Sequence, residues 1–244
     1  MSVPATLLRD VVARLLAGAA RAADGTVPIV AAGHPVLRAV SEPYDGQLSA
    51  ADLDALLALM VRTMRAAPGV GHAAPQIGLP LALAVLEDPG TADAEIARVR
   101  ERPAFTPRVL VNPRYTVAPD RGDERVDFYE GCLSVAGYQA VVPRLRHVRL
   151  TGADASGGAI DEVVSGWPAR IVQHETDHLG GTLYLDRAEL RSLATGDELG
   201  VRWAAEPRPL SAARALGFPL HADPEASARP ADDDDAHGPG EPTA

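Results

Sequence analysis

Apolar positions along the chain follow two different periods, and the change from one to the other outlines the fold. Between residues 6 and 22, Leu7, Leu8, Val11, Val12, Leu15 and Leu16 fall at helical spacing, which predicts an amphipathic helix. Arg9, Asp10 and Arg14 interrupt its apolar face, so it lacks the unbroken centre of a secretory signal. A second helix is predicted over residues 48–67, where Leu53, Leu56, Leu57, Met60 and Met64 form the stripe and Ser49 is placed to cap it. The period then shortens. Residues 81–86 are an apolar run of strand length, and residues 87–107 read as a polar excursion with a helix in its middle. Short extended runs follow at 108–112, 115–117, 125–129, 139–142, 148–151 and 159–164, separated by Gly, Pro and Asp. Residues 170–181 return to helical character, residues 187–199 continue as a short helix, and residues 208–220 are weakly patterned. Strands that precede a helix, rather than alternate with helices, predict an α+β fold built on antiparallel sheets.

Composition changes this picture little. At 46% hydrophobic and 23% charged residues, the chain reads as a soluble globular protein, and no apolar run has the length of a membrane span. The net charge of −10 is mostly local: between Ala222 and Ala244, seven acids against one base contribute −6, leaving −4 for the rest. No basic patch points to nucleic acid. From His221 onward the chain is Pro, Ala, Asp and Gly with almost no apolar side chains, so it is expected to be disordered. Cys132 is the lone cysteine, which excludes an intrachain disulfide and fits a reducing compartment. It is inert core, a nucleophile or a metal ligand.

Chemistry concentrates in Gln173-His174-Glu175-Thr176-Asp177-His178-Leu179. On a helix, His174 and His178 share one face a turn apart and can converge on a single metal ion, with Glu175 beside them to handle protons. Pro168 suits a first helical turn and Gly180-Gly181 a stop. A third ligand is needed. Gln76, which carries both donor and acceptor near a strand entry, is a candidate substrate contact.

Three stretches taken together resemble the peptide deformylases: Gly69-Val70-Gly71-His72-Ala73-Ala74-Pro75-Gln76-Ile77-Gly78, Glu130-Gly131-Cys132-Leu133-Ser134, and the His174 motif, in that family's order. The resemblance implies antiparallel β-sheets packed around a central helix that carries His-Glu-x-x-His, with an added N-terminal helix. It implies residues 26–190 as the catalytic domain; outside the resemblance, residues 1–25 read as a helical extension, 191–221 as a C-terminal extension and 222–244 as a disordered acidic tail. The resemblance also supplies Cys132 as third ligand beside His174 and His178. The ion would be Fe2+ physiologically, with Zn2+, Ni2+ or Co2+ able to replace it. The implied reaction removes the N-formyl group from the initiator methionine of nascent polypeptides and releases formate. Glu175 would move the proton, and Gln76 and the Leu133 backbone N–H would stabilise the charged oxygen. Val70, Gly71 and Gly131 would hold the peptide, and Val70, Phe128, Ile171 and His174 its methionine side chain. Glu130 and Asp177 would pair with Arg144 to orient the site. The setting implied is cytoplasmic, with transient ribosome contact, no specific nucleic acid and no membrane.

Two positions depart from the family pattern. His72 stands where an aliphatic residue is usual and is expected to be partly exposed; Gln139 stands where many members have an arginine near the peptide. The rival readings are a zinc peptidase with a downstream third ligand, for which Glu189 is the candidate while His221 lies in the tail expected to be disordered, and an inactive ribosome-associated binding module.

Overall fold

Among residues 5–221, eight antiparallel strands fall into two sheets, and helices close over their faces. A computed structural model of the chain describes residues 5–221. Helix α1 (Ala5–Arg21) lies on α2 (Ala50–Ala66), burying Leu8, Val12 and Ala19 against the stripe of Leu53, Leu56, Leu57, Met60 and Met64. Ser49 caps α2: its side chain accepts the Asp52 N–H at 3.1 Å, satisfying a backbone donor that the first turn leaves open.

The larger sheet has the order β1-β2-β3-β6-β7, formed by β1 (Gly71–Ala73), β2 (Leu83–Asp88), β3 (Phe105–Val117), β6 (His147–Ala153) and β7 (Ala159–Ser165). The smaller has the order β4-β5-β8, from β4 (Arg125–Cys132), β5 (Val135–Leu145) and β8 (Glu189–Thr195). The polar excursion between β2 and β3 does carry a helix, α3 (Ala94–Val99), capped by Asp93. Helix α4 (Gly166–Leu179) touches strands of both sheets. The Gln173 side chain ties it to the end of β5, donating to the Leu145 carbonyl at 2.8 Å and accepting the Leu145 N–H at 3.1 Å.

Several local expectations are corrected. The two strands expected at 108–112 and 115–117 are one strand, β3, bent at a register shift between Val111 and Arg114. Asn112 takes a left-handed φ of 51° there, and Pro113 has no N–H to offer the ladder. The Asn112 amide uses the bend to hold both backbone groups of Tyr44. Residues 187–199 are not one helix: they form β8 and the start of α5 (Gly196–Arg202). Leu190 and Leu193 mimic helical spacing yet are exposed, whereas the buried residue is Ser192. Its hydroxyl accepts the Val141 N–H at 2.7 Å and donates to the Glu189 carbonyl, so pairing with β5 overrides local propensity.

Beyond β8, α6 (Leu210–Leu216) and Phe218 pack with Leu199 on Tyr129 and Val141. His221 was expected to open the disordered tail. It is docked instead: its N–H donates to Asp127 Oδ2 at 2.6 Å and its Nδ1 lies 3.2 Å from Oδ1. The expected disorder over residues 222–244 lies outside the described residues. No helix among the described residues is long and apolar enough to cross a membrane.

Candidate metal centre and active-site cleft

A strand end and a helix face meet at the site. Cys132 is the last residue of β4, where the register shifts: Gly131 pairs with Gln139 and Cys132 with Val135, at the tight turn into β5. On α4, His174 and His178 stand one turn apart, as their spacing requires, with ring centroids 5.1 Å apart. Cys132 Sγ lies 3.2 Å from His178 Nε2, and the ligand atoms of Cys132, His174 and His178 all fall within 4.8 Å of one another. One thiol and two imidazoles at that separation suit a single divalent ion of borderline softness and leave a coordination position for a reactant.

A buried ionic network orients His174. Glu130 Oε2 is 3.1 Å from His174 Nδ1; a proton held there leaves the other ring nitrogen free for the ion. Arg144 forks onto Glu130 at 2.9 and 3.0 Å and reaches Asp177 Oδ2 at 2.5 Å. Arg170 also donates to Glu130, and Arg187 and the Tyr115 hydroxyl donate to Asp177. Burial opposes ionisation of Glu130, but Arg144 and Arg170 outweigh it and hold the carboxyl well below its usual range. Two charged side chains of β4 and α4 are thereby locked to one guanidinium on β5. Removing one partner from such a group costs on the order of 3–5 kcal/mol, because the charge left behind stays buried.

Glu175 sits against the first strand. A Cβ built on Gly71 would lie 2.6 Å from Glu175 Cδ, so only a glycine lets β1 approach the carboxylate this closely. Burial raises the Glu175 carboxyl to about 7, with His174 and Arg144 opposing. Its Oε2 is buried with no hydrogen-bond partner among the described residues. Gln76 lies in a 3-10 turn (Ala74–Ile77) after β1. Its Oε1 accepts the Ala73 N–H at 2.8 Å, which turns the amide Nε2 toward the site, 3.6 Å from Cys132 Sγ and 3.4 Å from Ser134 Oγ.

These groups open on a cleft of about 630 Å³, lined by Val70, Gly71, Gln76, Gly131, Cys132, Leu133, Gln139, Ile171, His174 and Glu175 among others. His178 is buried behind it. Phe128, expected in the methionine pocket, does not line the cleft. Its ring packs edge-on to Trp167 at 5.9 Å and is covered by the guanidinium groups of Arg170 and Arg100 at 5.1 and 5.6 Å. Sequence reasoning missed the groups that stand in its place, Trp167, Arg170, Arg100 and Arg102. Helical spacing held a signal for Trp167, which is four residues before Ile171 and seven before His174 on one face of α4. Nothing local marked Arg100, which closes α3 far away in sequence. His72 is likewise not partly exposed. It is wholly buried, with Nδ1 3.2 Å from the Met60 carbonyl and Nε2 unpartnered, and burial lowers it to about 4.

A His-Glu-x-x-His helix facing a strand-borne thiol beneath an open cleft defines a metal-dependent hydrolase. Comparison with known proteins narrows the class. The polypeptide deformylase family model matches residues 26–193. Peptide deformylase 3 of Streptomyces avermitilis is 56% identical over 199 residues, covering 82% of this chain and 87% of its own length. The human mitochondrial peptide deformylase is 41% identical over 165 residues, 66% and 67% of the two chains. Among solved structures, the Met-Ala-Ser-bound class I type b peptide deformylase of Acinetobacter baumannii superposes with a TM-score of 0.58 at 30% identity, over 66% of this chain and 98% of that one. The chain belongs to the peptide deformylase family, and its reaction is removal of the formyl group from nascent peptides.

Proposed function

We propose that Cys132, His174 and His178 hold one divalent ion, Fe2+ in the cell, and that Glu175, Gln76 and Leu133 act with it on N-formylmethionyl nascent peptides. The observation that carries this reading is the approach of one thiol and two imidazoles to within 4.8 Å, with an unpartnered carboxylate oxygen beside them. When bound, the ion supplies Lewis acidity that makes water acidic enough to react near neutral pH. Glu175 takes the proton of the attacking water at Oε2 and passes it to the departing amine nitrogen, so that formate and a free amino terminus result. Proton transfer by a positioned group contributes about 10²–10⁴-fold. Gln76 Nε2 and the Leu133 N–H donate to the formyl oxygen as charge builds on it. A donor of this kind is worth on the order of 10²–10³ in turnover.

The peptide lies extended along backbone groups of Val70, Gly71 and Gly131. Its first side chain runs over Val70 and Ile171 beside His174, on the wall that α4 presents as the central helix of the fold. Residues 26–190 form the catalytic unit, residues 1–25 the helical extension before it and 191–221 the extension after it, the latter completing the small sheet through β8. A cytoplasmic setting and transient ribosome contact follow from the substrate, with no need for specific nucleic acid or a membrane.

The peptidase reading finds no support in the geometry. Glu189 pairs with Val141 at the start of β8 and His221 is held by Asp127. Formate release from formyl-Met-Ala-Ser by anaerobically prepared, iron-loaded protein tests the proposal. Turnover that drops at least about 10²-fold in Glu175→Gln, with the metal retained, is expected. No release with iron, nickel or cobalt would sink it.

A further inference from the structure

One wall of the cleft carries hydrogen-bond donors that the deformylation chemistry leaves unused. Trp167, Ile171 and His174 stand on one face of α4 at intervals of four and three residues, so Trp167 lies about 10 Å along the helix from His174. The Trp167 Nε1–H is buried and has no acceptor among the described residues. An indole N–H is donor only, and buried ones normally find a partner. Arg100 borders the same end of the cleft, its guanidinium 5.3 Å from the Trp167 ring. Arg100 has no carboxylate within ion-pair distance among the described residues, Asp93 acting on it only through space. It donates only to the backbone carbonyls of Pro207 at 3.1 Å and Glu206 at 3.5 Å, leaving most of its five N–H bonds open. Arg102, 5.2 Å from the same ring, is by contrast matched by Asp88 through two hydrogen bonds. A guanidinium with open N–H groups and, beside it, an indole donor with no acceptor among the described residues thus lie at one end of the cleft.

The substrate path shows which oxygen reaches it. From the formyl carbon to the end of an extended methionine side chain is roughly 7–8 Å. On the path proposed above, over Val70 and Ile171, that reach carries the side chain toward the Trp167–Arg100 wall. A thioether sulfur is a weak acceptor and uses such donors poorly; the sulfoxide oxygen of oxidised methionine is a strong one.

We propose that Arg100 and Trp167 form an acceptor-binding end to the methionine pocket, through which this enzyme deformylates peptides whose initiator methionine is oxidised to the sulfoxide. The proposal rests on the deformylase reading of the cleft. A purely apolar pocket discriminates against a sulfoxide because its oxygen loses water without replacement. A pocket with a charged donor restores that bond, worth about tenfold to a hundredfold.

The test compares kcat/KM for formyl-methionine, formyl-methionine sulfoxide (each epimer separately) and formyl-norleucine versions of one tripeptide, using metal-loaded full-length protein. Wild type is expected to process at least one sulfoxide epimer within about tenfold of the methionine peptide. The sulfoxide-to-norleucine ratio is expected to fall about 10–100-fold in Arg100→Met, and to be partly restored in Arg100→Lys. Trp167→Phe, which keeps a smaller aromatic ring and removes the N–H, should lower the same ratio. Discrimination against both epimers beyond about a hundredfold in wild type would overturn the proposal even if no variant folds. So would a ratio unmoved by the Arg100 and Trp167 substitutions. Absence of turnover on the methionine and norleucine peptides as well would instead refute the deformylase reading, and this proposal with it.

Discussion

Replacing His72 with leucine should remove a pH dependence from the stability of the protein. The imidazole is wholly buried between β1 and α2, and burial lowers it from 6.5 to about 4. The unfolded chain therefore binds more protons at this position than the folded one between those values. The contribution to stability is complete above pH 6.5, declines as pH falls toward 4, and is flat below. A difference of that size amounts to about 3 kcal/mol in full, of which about 2 kcal/mol has gone by pH 5. Leucine has a similar volume, cannot titrate, and removes the buried, unpartnered Nε2. Urea unfolding of both proteins, loaded with the same metal, at steps from pH 7.5 to pH 5 measures the effect. The wild type should lose about 2 kcal/mol more than His72→Leu over that interval. Profiles that run parallel would refute the assignment of a neutral, buried imidazole.

Gly71→Ala should lower formate release at least about 10²-fold with metal content unchanged, since the added Cβ displaces the Glu175 carboxylate; turnover near wild type would show that the close approach of β1 is not needed. Glu130→Gln leaves Arg144 and Arg170 without their shared carboxylate and should cost about 3–5 kcal/mol in urea unfolding. A loss under 1 kcal/mol would mean that the buried network is only loosely held. Ending the chain after Arg187 removes β8, the Ser192 hydroxyl bond to Val141 and the cluster of Leu199, Ala212 and Phe218. The melting temperature should then fall by more than about 10 °C, and a shift of less than 2 °C would show that the C-terminal elements add little to the catalytic sheet.

How far the sequence could be read depended on whether a residue's partner was near in the chain. Helices α2 and α4 were legible because their stripes and caps repeat within a turn, and Ser49 at its expected place is the clearest case. The approach of Cys132 to His174 and His178 was legible only through the resemblance; no local periodicity brings residue 132 to residue 174. Partnerships fixed by tertiary packing were missed. Leu190 and Leu193 imitated a helix while Ser192 was reserved for β5. Phe128 lay on a readable strand, but Trp167 and two guanidinium groups cover it from distant elements. His72 looked like a surface substitute because nothing in its neighbours reveals that α2 covers β1. The arginine absent at Gln139 gave no hint that Arg100 would arrive in the same cleft from α3.

The scaffold that aims His174 consists of Glu130, Asp177, Arg144 and Arg170 clasped to one another, none of them a ligand. Its cohesion comes from charges the polypeptide carries itself. On the metal reading proposed above, the socket would keep its shape when the ion leaves, and exchange of one transition metal for another would be a change of tenant rather than a rebuilding of the house.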